Sequence, residues 1–208
     1  MTRNIPGTDS STIEKIAGEI CRAVRGVAVR CVYRLDSGLM CHSYAFVAGS
    51  DHVGRPRICV HTVAVNNKDV DSIPFFNMFS LPDEAFLPEG FDFSSDRDFE
   101  AHIIDSIKIE DSNDAEKILS SASENRLTMD TESLAIINTL LEKPQKDVVL
   151  VGLRNAFERI RYISNVLPRP VRLSMSFILP SMLAYRHIFP GRAVVSTCLL
   201  YTSPSPRD

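Results

Sequence analysis

An α+β domain is the fold class this sequence predicts: an N-terminal helix and an antiparallel strand meander, then helices and a C-terminal β-α-β unit. Three observations carry that expectation. Apolar residues recur at helical spacing over residues 13–24. Short alternating runs follow, separated by turn-forming residues. The last third then sets an apolar run, a glycine, a helical stripe and a second apolar run in that order.

The first helix is marked by Ile13, Ile16, Ala17, Ile20, Cys21 and Val24, the i, i+3, i+4 spacing that buries one face. Asp9, Ser10, Ser11 and Thr12 supply candidate N-cap oxygens, and Gly26 a C-terminal stop. Three strands are expected next, at Val27 to Arg34, His42 to Ala48 and Ile58 to Val65. Asp36-Ser37-Gly38, Gly49-Ser50-Asp51 and Gly54-Arg55-Pro56 are the turns between them. A hairpin turning near residues 50 to 55 would set His61 opposite Tyr44 and point Cys41 and His42 to opposite faces.

Pro74, Pro82 and Pro88 interrupt a stretch rich in phenylalanine (Phe75, Phe76, Phe79, Phe86, Phe91 and Phe93), which reads as an irregular segment pinned to the core by its rings. Phe99 to Ile109 suits a short helix or strand, and residues 109 to 126 a polar surface connection. Thr131 to Leu141 reads as an amphipathic helix burying Leu134, Ile137, Leu140 and Leu141, closed by Lys143-Pro144. Val148 to Val151 resembles a strand buried on both faces. Leu153, Ala156, Phe157, Ile160, Ile163, Ser164 and Leu167 form a helix stripe ended by Pro168-Arg169-Pro170, and Val171 to Ile178 a second strand.

Of the 208 residues 44% are hydrophobic, which suits a globular protein and not a disordered one. The formal charge of −3 is unevenly spread. Residues 1–65 carry 8 basic and 5 acidic groups, residues 66–143 carry 6 and 18, and residues 144–197 carry 8 and 2. Such blocks fit faces that meet each other, or a partner surface. Nucleic acid is not expected, since the basic block lacks interleaved aromatics and any reading motif. No membrane span of about 20 apolar residues is present. Cys21, Cys31, Cys41 and Cys59 form no C-x-x-C pair and follow no apolar leader, so a soluble cytoplasmic protein with free thiols is expected.

The chemistry-bearing residues give no catalytic signature. Neither common nucleotide fingerprint nor a G-x-S-x-G elbow occurs. Cys41, His42, Asp51, His52, Cys59 and His61 gather in the meander. Cys59 and His61 share a strand face, but a parallel-pointing pair is a poor proton-transfer dyad and a thin metal set. No cofactor, metal or catalytic residue is assigned. Gly152 and Arg154, at a strand-to-helix turn, could meet an anion. Arg159, Arg161, Arg169 and Arg172 form a basic patch open to an anion or a partner.

Two segments resemble the N-terminal domains of bacterial GTPase-associated proteins. Gly54-Arg55-Pro56-Arg57-Ile58-Cys59-Val60-His61-Thr62-Val63-Ala64-Val65, followed by Asp69-Val70-Asp71-Ser72-Ile73-Pro74, is similar to that family's strand and its downstream D-(x)-I-P turn. Asp147 to Gly152, Ile163 to Leu167 and Arg172-Leu173-Ser174-Met175-Ser176-Phe177 resemble its late pattern of strand, helix and strand. The family's Thr-His order is reversed here, and its early glycine/histidine strand is not evident. The resemblance implies a non-catalytic assembly module of a larger prokaryotic protein that works with a GTPase, in defence or stress. Gly54, Arg55, His61 and Thr62 would then be interface or structural residues. The alternatives are a standalone hydrolase or metal-binding enzyme using the His/Cys-bearing strands, and a structural domain.

The last eleven residues, Cys198 to Asp208, resemble a transposase sequencing adapter translated in one frame. The expectation is therefore one mixed α/β domain over residues 1–197, truncated at its C-terminal end with Thr197 at the junction, from a fragment of environmental DNA. A β-α-β unit ending so near the junction predicts exposed apolar surface at Met175, Phe177, Ile178 and Leu183.

Overall fold

The computed structural model describes residues 7–24, 28–66, 78–81, 85–86, 130–143, 147–151, 156–179, 189 and 192–197. In chain order the elements are α1 (Gly7–Ala23), β1 (Val29–Arg34), β2 (Leu39–Ser50), β3 (Pro56–Asn66), a 3-10 turn (Met78–Ser80), α2 (Thr131–Glu142), β4 (Val148–Val151), α3 (Ala156–Val166), α4 (Arg169–Leu173), β5 (Met175–Leu179) and β6 (Arg192–Thr197). The fold class is α+β, built on one six-stranded sheet in the order β3-β2-β1-β5-β6-β4.

The meander is present with the expected pairing. β1 pairs antiparallel with β2, and β2 with β3, so that Tyr44 lies opposite His61 and His42 opposite Val63. Two turns hold it. Gly38, at φ 93°, lets its N–H reach the Leu35 carbonyl at 2.9 Å. Gly54, at φ 81°, donates to the Asp51 carbonyl at 2.9 Å. α1 begins at Gly7, so Asp9 to Thr12 lie inside its first turns and do not cap it. Ile13, Ile16, Ile20 and Val24 pack with Val29, Cys31, Tyr33, Cys41 and Ala45 on one face of the sheet. Full burial of each such aliphatic side chain contributes about 1.5–3 kcal/mol.

The opposite face carries the larger core. Val32, Met40 and Val63 meet Met78, Phe79, Leu81 and Phe86, and below them Ile136 and Leu140 of α2, Ile160 and Ile163 of α3, and Phe177 of β5. Phe79 and Phe86 are fully buried, as expected for rings that pin an irregular segment. Phe75, Phe76, Phe91, Phe93 and residues 99–126 lie outside the described residues.

Four expectations are corrected. α2 turns Ser133, Ile136 and Leu140 inward, while Leu134 and Leu141 are 44% and 43% exposed. The Asp130 carboxylate caps this helix by accepting the Ser133 N–H at 2.7 Å. β4 is not buried on both faces: among the described residues it ends the sheet beside β6, and it exposes Val149 and Val151. Residues 169–173 are helical, because Pro170 in the first turn of α4 suits a helix start and suits a central strand badly; β5 begins only at Met175. Finally, the exposure expected at the second strand of the β-α-β unit is not found, although β4 and β5 do run parallel in one sheet. β6 lies between them, parallel to both, and β1 closes β5 from the other side in antiparallel pairing. That insertion leaves Met175, Phe177 and Ile178 buried, against the exposure the sequence suggests; Leu183 lies outside the described residues.

Candidate functional site

Strand alternation puts Arg30, Tyr44 and His61 in one row across β1, β2 and β3, with Val32, His42 and Val63 in the next. The segment around Met78 and Phe86 covers these rows. His42 is completely buried, and its Nδ1–H donates to the Met78 carbonyl at 2.8 Å. His61, half-buried, donates its own Nδ1–H to the Phe86 carbonyl at 2.9 Å. A carbonyl can only accept, so both rings are fixed with the proton on Nδ1. The ring of Phe86 stands 4.5 Å from His42 and 6.0 Å from His61 between centroids. Two histidines on neighbouring strands thus fasten one aromatic segment to the sheet.

Arg30 completes the cluster. Its guanidinium lies 4.2 Å from the centre of the Tyr44 ring and 4.5 Å from that of Phe157, so the cation is held between two π faces. Sequence reading missed this residue. The only trace it leaves is an arginine at an inward position of an alternating strand, where the register rather than the residue type gives it away.

The other face holds a chain of hydroxyls. The Tyr33 hydroxyl is 3.2 Å from Ser43 Oγ, which is 2.8 Å from Thr62 Oγ1, so three adjacent strands are tied in one register. Burial pushes the Tyr33 phenol up, with the nearby Cys41 thiol adding to the shift. Burial likewise raises the Cys31 and Cys59 thiols, and pushes Cys41 up to about 12. A thiol held protonated is a poor nucleophile and a poor metal ligand, so these cysteines act as small apolar side chains.

The residues singled out by the motif do not converge. His61 faces the aromatic segment, while Thr62 faces Ser43 on the far side of the sheet. Gly54 and Arg55 sit in the β2–β3 turn. There Asp51 accepts the backbone N–H groups of Val53 and Arg55 at 2.9 Å, and Arg55 Nε at 2.8 Å. The hydrogen bond from the Arg55 backbone, then those from the Arg55 side chain and Val53, hold the Asp51 carboxyl below its ordinary range. These two residues build a turn.

The basic patch is divided in the same way. Arg159, 14% exposed at its side chain, reaches from α3 to Asp130 at 2.7 Å and Glu132 at 2.8 Å, and so clasps the start of α2. The Ser133 N–H and then Arg159 hold the Asp130 carboxyl low. Arg172 is buried, and its guanidinium donates to the Ser164 carbonyl in the last turn of α3 at 3.1 Å. A cation at a helix C-terminus complements the helix dipole. Burial, followed by the like charge of Arg169, lowers its affinity for the proton. Arg161 remains largely in solvent, 4.0 Å from Glu158. Gly152 and Arg154 lie outside the described residues.

Two further observations bound the chemistry. A cleft of about 270 Å³ is lined by Arg34, Leu35, Asp36 and residues 173–176, and it contains neither histidine. Among the described residues, no group of three or more His, Cys, Asp or Glu side chains is placed to hold a metal ion, and no helix is long and apolar enough to cross a membrane.

Fold and site together define an α+β protein on a mixed six-stranded sheet, whose buried polar side chains bind its own backbone and rings. No family model matches the chain, and no curated protein or solved structure matches it either.

Proposed function

We propose that this chain is a non-catalytic interaction module that assembles with a protein partner, a GTPase, within a larger prokaryotic defence or stress protein. One observation carries the reading. β4 stands at the end of the sheet and holds Val149 42% and Val151 67% exposed. Apolar side chains held in solvent on a strand that ends the sheet among the described residues make a surface that gains by being covered. The internal use of the meander's histidines supports the same reading, since their Nδ1–H groups already hold the aromatic segment. The GTPase as partner rests on the resemblance of residues 54–74 and 147–177 to the GTPase-associated family.

The test is direct binding. The immobilised chain is offered purified GTPases of its own genome, and the Val149→Lys/Val151→Lys double variant serves as control. A GTPase retained by the wild type and lost by the variant, with the far-ultraviolet dichroism of the two chains equal, supports the proposal. A folded wild-type chain that retains none of them removes the GTPase. Stoichiometric zinc or hydrolytic turnover abolished by His61→Ala would replace the module with an enzyme.

A further inference from the structure

We draw no further inference here: the strongest candidate, the exposed valine face of the edge strand β4, belongs to the interaction surface already proposed, and nothing in the structure shows what covers it.

Discussion

The two ends of the sheet are finished differently. At the β3 end, α1 lays four aliphatic residues over the meander, and a hydroxyl chain from Tyr33 to Thr62 ties the strands beneath it. At the β4 end, the strand is four residues long and leaves two of its valines in solvent. Both ends belong to one sheet, so the contrast lies in coverage and not in pairing. Apolar residues of the same type are core in one place and surface in the other, and only the tertiary partner decides which.

Substitutions can break or sharpen that contrast. The largest effects belong to the covered regions. Phe86→Ala removes a fully buried ring that contacts His42, His61 and Tyr44, and should cost about 3–5 kcal/mol in urea unfolding. Ile20→Ala, on the buried face of α1, should cost about 2–5 kcal/mol by the same measurement. If either variant unfolds at the wild-type midpoint, the region is not packed as described.

Intermediate effects belong to the single-residue devices. Asp130→Ala deletes the α2 cap and one anchor of Arg159, and should lower the urea midpoint by less than either core substitution does. The sign with pH follows from the carboxyl being held low in the folded state. Its contribution is present above the unfolded value, about 3.9, and fades as pH falls through the lower folded value. The wild type and Asp130→Asn should therefore converge in stability on acidification below about pH 4. Divergence in acid would contradict the cap. Gly54→Ala forces a side chain into the left-handed region at φ 81° and should cost about 1 kcal/mol in thermal unfolding, although a Cβ there meets nothing within 4 Å.

The smallest effect is the sharpest test of the exposed end. Val151→Ala should change stability by no more than about 0.5 kcal/mol. A loss as large as that of Ile20→Ala would show that β4 is covered after all.

How far the sequence reveals this follows the range of each interaction. The meander register was legible, because alternation and turn glycines are local: Tyr44 does face His61, and Cys41 and His42 do part to opposite sides. The face of α2 was legible only in part. The expected face of Leu134, Ile137, Leu140 and Leu141 holds for Leu140, which is buried, and for Ile137, which packs against the core, while Ser133 and Ile136 take the inward places expected of Leu134 and Leu141. Arg159, distant in sequence, reaches Asp130 and Ser133 at the start of the helix, a contact that no local pattern marks. The place of β6 was equally hidden, since order among parallel strands is set by contacts far apart along the chain. In the candidate site, the histidines were visible as residue types, but their carbonyl partners at Met78 and Phe86 belong to an irregular segment that no periodicity marks. Arg159 and Arg172 read as surface charge, yet each is committed to a helix end.

The insertion of β6 also imposes an order of events during synthesis. β4 and β5 emerge from the ribosome before β6 and are not paired with each other; each waits for Arg192–Thr197 to fill the gap. Until that strand arrives, β5 can pair with β1, while β4 lacks the strand it pairs with among the described residues. The late pairing is long-range, so it contributes to slow folding. During the wait, Val148–Val151 is an apolar segment without β6 beside it, open to capture by another nascent chain. A chain stalled before residue 192 would therefore lose more than β6. It would carry a finished meander beside a stretch of strand that cannot yet be placed.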